Sequence, residues 1–461
     1  MTTPILVPGA LVALPVLLAL SVACVREPMR IALPVFAALI PFGERLAVGS
    51  SPYTSLSTFV GGLLALGLLL QLMLGRRGAP RLSLSVPVWL LFLAAAVASA
   101  LWTLDMGLTV SGLAALGSLI ITYVLVALSP ADRTILRRTE NGLLAGGIAV
   151  VCYGVFQLTL LGGFPNGKSL GLPAAATTGR FGNDLLGPDI ESISLLLPLV
   201  IALNRAFTDS GSGRRLRYAA AAAFVLLGIL MTGSRTGTLA SAVVVLLLAW
   251  TGPRRARKGL IATFVAGLLI GGAVWVFHPA GIADRTFASA TSSSGRTDIW
   301  KVGAAACTKY CGYGSGWGTF PDVYAATQAT VPGANVLVGG GDYEAHNLWL
   351  LIGVELGTPG LLLFTAGLGV AVAEAVRIPR DLRGPPLSAL VGLFVGVFFL
   401  SSMEFKFFWM VLIVIALNRN VVAAEDRAQH SAVRAVDRRS IAVRYVPGHQ
   451  LDQPIGGKGM S

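Results

Sequence analysis

Long runs of apolar residues dominate the chain, and short stretches that carry most of the charges separate them. A run of about 17 to 25 apolar residues can cross the hydrocarbon of a bilayer as a helix. The segment at 31–43 is the weakest candidate, because it is short and contains Pro34 and Pro41. The pattern predicts an all-α, polytopic transmembrane helix bundle of about 12 or 13 spans. The predicted segments lie near residues 5–25, 31–43, 57–74, 87–104, 107–128, 142–161, 192–204, 218–233, 236–251, 259–277, 359–373, 386–402 and 407–418.

Composition supports a membrane protein and explains the charge. The chain is 54% hydrophobic and 12% charged, with a mean hydropathy of +0.74, which excludes an ordinary soluble domain. Alternate loops and the tail contain 26 of the 35 Lys and Arg residues, which indicates that they face the cytoplasm. This places the N-terminus outside and the C-terminus inside. The net charge of +13 then reflects topology and gives no reason to expect nucleic acid.

The same pattern divides the chain into three parts. Residues 1–175 are predicted as N-terminal transmembrane helices, and 176–418 as a membrane core that includes an external loop at 278–345. That loop is too long for a bare connection, which favours a functional role. Residues 419–461 are polar and rich in Arg, and we expect a disordered basic tail facing the inner leaflet.

Two outer loops contain the segments that stand apart from simple hydropathy. The first loop contains "TGRFGNDLLGPDIES", and "TGSRTGTLA" (232–240) lies further on, at the outer end of a helix. The second loop contains "SGRTDIW" and "GYGSGWGTF", and "AHNLWLLIGVELGTPGLLLF" comes at its end. Glycines such as Gly314 and Gly316 permit positive φ and a close approach of backbone to a ligand, although they also serve any long loop that has to turn.

In this order, these segments resemble the superfamily of O-antigen ligases and O-antigen polymerases, over about residues 175–375. The resemblance implies a GT-C-like glycosyltransferase architecture in the cytoplasmic (inner) membrane. It also implies an inverting, metal-independent transfer from an undecaprenyl-pyrophosphate-linked glycan donor to a glycan or lipid acceptor at the outer face. Other proteins of envelope polysaccharide assembly would be its partners, besides the lipid bilayer. The chain departs from the family where "GPDIES" places Asp189 at a position that is often Asn, which puts a substrate contact of Asp189 in doubt.

Arginine and histidine supply the chemistry that such a transfer needs. The guanidinium groups of Arg235, Arg296 and Arg180 suit a diphosphate, since arginine binds phosphate oxygens in a fork and stays charged. The alternative for each is an arginine whose charge reaches the membrane interface. His346, which directly follows the external loop, is the candidate general base for the acceptor hydroxyl, whereas His278 lies at a helix end and His430 and His449 lie in the inside tail. Its alternative is a histidine that merely starts a helix.

Neighbouring residues are expected to support these groups. Asn347 is predicted either to orient the imidazole or to cap the helix that follows. Glu355 lies within an apolar stretch, where a carboxyl group is costly unless it is protonated or paired, and we expect it to support this helix together with Gly314 and Gly316. Cys307 and Cys311 are four positions apart on the oxidising side, so a disulfide between them is an open alternative.

No nucleotide-binding or metal-binding motif accompanies these residues in the sequence, so no cofactor and no metal are expected. A transporter or flippase of a lipid-linked or polyanionic substrate is the alternative function. It would be expected to carry charges within the spans and to show an internal repeat. The clustering of arginines at one face favours the enzyme. The sequence does not decide between polymerase and ligase, which share the donor and differ in the acceptor.

Overall fold

The structure is a computed structural model of the chain. Of the 461 residues, it describes 17–43, 46, 55–75, 83–161, 164–165, 177–178, 180–182, 187–251, 257–259, 261, 265, 296–332, 344–401 and 403–444. The predicted segment 5–25 lies only partly within these ranges, and 259–277 lies almost entirely outside them.

The N-terminal part is a series of helices. They are α1 (Leu17–Arg26), α2 (Leu33–Leu39), α3 (Leu56–Met73), α4 (Ser85–Ala98), α5 (Met106–Ala127) and α6 (Arg133–Leu161). A π-helical turn at Pro28–Ala32 precedes α2, and 3₁₀ turns at Ile40–Phe42 and Ser99–Leu101 follow α2 and α4. Two short strands, β1 (Phe164–Pro165) and β2 (Thr177–Thr178), pair antiparallel after α6.

The second part continues the bundle. Its helices are α7 (Pro188–Ser194), α8 (Leu196–Thr208), α9 (Ser212–Met231), α10 (Arg235–Thr251), α11 (Arg296–Tyr310), α12 (Phe320–Thr327), α13 (Leu348–Arg377), α14 (Arg380–Val397) and α15 (Lys406–Arg444). A 3₁₀ turn at Gln328–Thr330 follows α12.

Six described helical segments are long and apolar enough to cross a membrane, which confirms the all-α polytopic bundle. These are α3, α5, α6, the α7–α8 pair, α13 and the first 25 residues of α15. Shorter apolar helices add α1, the Pro28–Phe42 segment, α4 with its 3₁₀ turn, α10 and most of α14. The weak segment at 31–43 is therefore helical, and α2 packs closely on α6. A Cβ atom at Gly146 of α6 would lie 2.0 Å from the carbonyl oxygen of Ala38, so only glycine allows this approach.

The core of the bundle surrounds α15. In the most apolar stretch of this helix, 83% of the residues are buried inside the protein. Its Phe408 and Trp409 pack edge-to-face with Trp89 of α4, at ring-centroid distances of 6.1 and 5.1 Å. Phe364 of α13 meets Trp89 at 6.2 Å in the same way. These aromatic contacts join three helices that are distant in the sequence, and each adds about 0.5 to 1.5 kcal/mol beyond the burial of its area.

The expectation of disorder from residue 419 differs from the structure, in which α15 continues to Arg444. Side-chain contacts explain why the first residues of this tail are ordered. Arg419 donates a hydrogen bond of 2.9 Å to Glu374 of α13, and Asn420 donates to the carbonyl oxygens of Ala127 and Ser129 at 3.0 and 2.8 Å. Polar side chains of the kind that suggested disorder therefore make hydrogen bonds to other parts of the bundle at this end.

Candidate active site

Asp189 is the point at which the outer segments converge. It lies in the first turn of α7, after Gly187, whose φ of +80° turns the chain into the helix. A carboxylate is favourable there, because the helix N-terminus carries partial positive charge. Its oxygens accept hydrogen bonds from Arg296 and from the hydroxyl of Ser234, the latter at 2.5 Å. The Nη2 atom of Arg180 lies 3.7 Å from Oδ1 of Asp189.

The backbone of α9 holds Arg180 in place. The Arg180 Nε atom donates to the carbonyl oxygen of Thr232 at 2.9 Å, and the next residue, Phe181, donates its backbone N–H to Met231 at 3.0 Å. The ring of Phe181 is fully buried. The guanidinium therefore stands at the junction between the end of α9 and the start of α10, with one edge directed to Asp189.

Arg296 is the first described residue of α11, and α11 is tied to the segment that carries His346. Trp300, one turn after Arg296, donates its indole N–H to the carbonyl oxygen of Ala345 at 3.1 Å. This bond joins the two segments of the external loop that contain the candidate clamp and the candidate base. Arg296 is partly buried, with a side-chain exposure of 20%.

His346 adopts a backbone conformation that is uncommon outside glycine. Its φ is +46°, in the left-handed region, where His, Asn and Asp occur several times more often than other residues with a side chain. Its Nδ1 atom is buried and lies 4.0 Å from the Glu344 carboxylate. Burial lowers the pKa of His346, and the nearby Arg296 lowers it further, while Asp189 opposes both. The imidazole is therefore kept neutral, which is the form that accepts a proton.

Asn347 begins α13. Its side-chain oxygen accepts a hydrogen bond of 3.0 Å from the backbone N–H of Leu350, so it makes the capping contact, which was one of its two expected roles. The cap fixes the start of the helix immediately after His346.

The glycine-rich segment at 311–320 packs against a kink in α13. The kink lies at Gly357, with a φ of +66°, two residues before Pro359. Gly314 has a φ of +91°, and a Cβ atom there would lie 2.2 Å from the Glu355 carbonyl oxygen. Gly316 has a φ of +109° and donates its N–H to that same oxygen at 3.0 Å.

The side chain of Glu355 fastens the other end of this segment. Its carboxylate is buried and accepts the backbone N–H of Phe320, which starts α12, at 3.0 Å. A disulfide also joins Cys307 and Cys311 at the end of α11. The structure thus places Glu355, Gly314 and Gly316 at one junction that holds the external loop on α13.

Arg235 lies at the edge of this arrangement. It opens α10 with an exposed side chain, and the residue before it, Ser234, is the one that binds Asp189. The structure therefore brings Arg180, Arg235, Arg296 and His346 to one region around Asp189. The catalytic and substrate-binding roles of these residues stay predictions.

Glu344 and Ser234 are two contact residues that sequence reasoning did not single out. Ser234 lies within the quoted segment "TGSRTGTLA" beside Arg235, and Glu344 directly precedes the quoted segment that contains His346. Ser234 resembles any residue near a helix start in the sequence, and only the structure shows its bond to Asp189. Among the described residues, no group of three or more His, Cys, Asp and Glu side chains is arranged to hold a metal ion.

This arrangement combines cations, a neutral base and a carboxylate that fixes the cations. Guanidinium groups at the ends of helices match the oxygens of a phosphate or diphosphate. A neutral imidazole beside them can take a proton from a hydroxyl group. The site therefore suits the displacement of an anionic leaving group by an alcohol.

Comparison with known proteins agrees with this chemistry. Residues 220–365 match the family model described as O-antigen ligase, a range that contains Arg235, Arg296, His346 and Glu355 but begins after Arg180 and Asp189. No curated protein matches the chain significantly. Over these residues the chain is similar to O-antigen ligases, and they lie within the membrane bundle described above.

Proposed function

We propose that the protein is a glycosyltransferase that moves an oligosaccharide from an undecaprenyl-diphosphate-linked donor to a hydroxyl group of a glycan or lipid acceptor. The reaction takes place at the outer face of the cytoplasmic membrane. The observation that carries the proposal is the convergence of Arg180, Arg296 and Ser234 on Asp189, within electrostatic reach of a neutral His346. A diphosphate leaving group and an alcohol nucleophile need these two kinds of side chain together.

In this mechanism Arg296, Arg180 and Arg235 hold the donor diphosphate and stabilise the negative charge that it gains. The acceptor oxygen attacks the anomeric carbon from the opposite face, and the bond between that carbon and the phosphate oxygen breaks. The acceptor proton moves to His346, and the lipid diphosphate leaves. One displacement inverts the anomeric configuration.

No metal or cofactor is part of the proposed mechanism, since the bond to the lipid diphosphate supplies the energy of transfer. The three arginines neutralise the leaving group, a task that a divalent ion performs in many other phosphate-dependent enzymes. The test of this part is transfer by purified protein in the presence of a chelator. Activity that disappears with the chelator and returns with a divalent ion contradicts it.

The experiment that tests the whole proposal is reconstitution of the purified full chain in sealed proteoliposomes. Lipid-linked oligosaccharide extracted from the source strain serves as donor, and the strain's delipidated envelope glycan as acceptor. We expect a longer or newly attached glycan, released lipid diphosphate and an inverted anomeric linkage by NMR. Movement of the donor across a bilayer with no glycan product would instead support the transporter. A deletion strain separates the acceptors, because donors with short chains accumulate without a polymerase and unattached long chains accumulate without a ligase.

A further inference from the structure

A cavity of about 310 Å³ lies beside the candidate active site. It is enclosed by parts of α3, α5, α7 and α15 and by the glycine-rich segment. Glu344 and Ile190, which line it, are near neighbours in sequence of His346 and Asp189. The volume is at the lower end of the range for small-molecule sites, about 300 to 1,000 Å³. The cavity is therefore close to the reacting groups and large enough for a sugar.

The charged groups of the wall distinguish this cavity from the arginine site. Its carboxylates are those of Glu344, Glu355 and Glu404, whereas Arg180, Arg235 and Arg296 do not line it. Arginine is the side chain that matches phosphate oxygens, and the three candidate arginines lie outside this wall. A diphosphate therefore fits beside the arginines.

The cation of the cavity is directed to hydroxyl groups. Lys406, at the start of α15, donates to the side-chain oxygens of Ser55, Ser57 and Thr58 at 3.0, 2.8 and 2.8 Å. Its ammonium is thus solvated by the protein's own hydroxyl groups. Carboxyl groups accept hydrogen bonds from the O–H groups of a ligand and, when protonated, donate to its oxygens, so this wall suits an uncharged ligand rich in hydroxyl groups.

Aromatic and apolar side chains complete the wall. Trp317, Phe320 and Phe405 line the cavity, and the indole of Trp317 lies beside the Glu404 carboxylate. A sugar ring has apolar C–H faces and a polar edge, and an aromatic side chain next to a carboxylate matches both. Mostly apolar walls with a few placed polar groups are the usual composition of a small-molecule site.

A glycine leaves space for the Trp317 indole and the Glu404 carboxyl group. Gly112 of α5 stands directly behind them, and a Cβ atom there would lie 2.9 Å from Trp317 Cδ1 and 3.3 Å from Glu404 Oε1. Any larger residue at 112 would displace the indole or the carboxylate. The wall is thus shaped by a backbone approach as well as by side chains.

Glu344 connects the cavity to the candidate base. Its carboxylate lines the cavity and lies 4.0 Å from Nδ1 of His346. We propose that this cavity is the acceptor site, and that it binds an uncharged sugar residue whose hydroxyl group is presented to His346. The inference rests on the proposed function and assigns its second substrate. Donor and acceptor then occupy separate sites, the first beside the arginines and the second in the cavity that Glu344 lines.

The test introduces a large side chain into the cavity from α5. Ala115 lines the cavity and Ala114, next to it, has an exposed side chain outside the lining, so Ala115→Phe and Ala114→Phe form a matched pair. In the reconstituted transfer assay, Ala115→Phe is expected to raise the KM for the acceptor glycan by about tenfold or more and to leave the KM for the donor unchanged. Ala114→Phe should resemble the parent. A raised donor KM, or no change in either KM, overturns the acceptor site.

A second measurement does not depend on turnover. Ser118→Cys introduces a thiol into the cavity wall, in a Cys152→Ser background that removes the exposed native thiol. The delipidated acceptor glycan should slow labelling of this thiol by a small methanethiosulfonate reagent, and inorganic pyrophosphate should not. Protection by pyrophosphate assigns the cavity to the donor and overturns the inference. Failure of the proposed function is recognised separately, as a parent protein that makes no glycan product although the acceptor protects the thiol.

Discussion

Arg296 and Asp189, 107 positions apart in the chain, are joined by a hydrogen-bonded ion pair at the centre of the candidate site. The pair links the start of α11 to the first turn of α7. Arg180, which is held beside the end of α9, lies near the same carboxylate. Asp189 is therefore the common partner of two guanidinium groups. A carboxylate would repel a bound diphosphate, so we expect Asp189 to act through the arginines that it positions.

Replacing Asp189 tests this anchoring role. Asp189→Leu removes the carboxylate that Arg296, Arg180 and Ser234 share, and we expect kcat/KM for the donor to fall by about tenfold or more, since a partly buried charge loses this partner. Asp189→Asn retains one acceptor oxygen and should lie between Leu and the parent. The measurement is donor kinetics in the reconstituted assay. Equal activity of Asp189→Leu and parent would show that the anchor is dispensable.

Replacing His346 tests the base. His346→Asn is a cleaner variant than His346→Ala, because the φ of +46° is tolerated by Asn and costs Ala about 1 to 2 kcal/mol. We expect the transfer rate to fall by about two to four orders of magnitude. Pyrophosphate, measured as an inhibitor competitive with the donor, should bind as tightly as before. A variant that inserts and purifies like the parent and still makes normal amounts of glycan contradicts the role of base.

The acid limb of the pH profile reports the same histidine. Because burial and Arg296 lower its pKa below the ordinary 6.5, more than half of the His346 population is neutral at pH 6.5. The midpoint of the acid limb of kcat/KM for the acceptor should therefore lie below pH 6.5. Arg296→Gln removes one cause of the shift, so its acid limb should move toward higher pH. A parent midpoint above pH 6.5 would assign the titration to another group.

The fold was largely predictable from the sequence, because hydropathy over about 20 residues reports the need to satisfy the backbone within lipid. Even the segment with Pro34 and Pro41 forms helix, and Gly146 lets α6 pack closely against it. The tail was less predictable. Its polar composition gave no sign that Arg419 and Asn420 would find partners on other helices.

The candidate site was predictable as a set of residues and not as an arrangement. The arginines and His346 could be predicted from their chemistry. Each lies in an outer segment near the membrane, where a charged side chain is costly and therefore indicates a function. Their common partner could not be found, because Arg180, Asp189 and Arg296 are brought together by contacts among helix ends that no local pattern encodes. Glu344 escaped notice for the same reason, since its proximity to both Nδ1 of His346 and the cavity appears only in three dimensions.

The orientation in the membrane is a further prediction. The distribution of basic residues places the glycine-rich segment outside and the start of α9 inside. Tyr313→Cys, at a side chain that is 81% exposed, should react with a membrane-impermeant maleimide in intact cells. Ser212→Cys, at the first residue of α9, should react only after permeabilisation. The opposite labelling pattern would invert the topology, and the parent chain without either cysteine gives the background.

The junction between the glycine-rich segment and α13 gives a prediction about stability with a control two residues away. In Gly314→Ala the new methyl group meets the Glu355 carbonyl oxygen at 2.2 Å, at a φ of +91° that L side chains rarely adopt. Overpacking costs about 1 to 3 kcal/mol and the left-handed backbone about 1 to 2 kcal/mol more, so unfolding in detergent should begin several degrees earlier. Gly312→Ala meets nothing within 4 Å and has no positive φ, so it should unfold like the parent.

The assay is thermal unfolding followed by intrinsic fluorescence, with transfer activity measured on the same samples below the transition. If both alanines unfold at the parent temperature, the segment is not held on the kink of α13 in the way that the contacts of Glu355 indicate. If Gly314→Ala alone is destabilised, the rigid attachment of the external loop to the helix that His346 precedes is supported, and its activity should fall together with its stability.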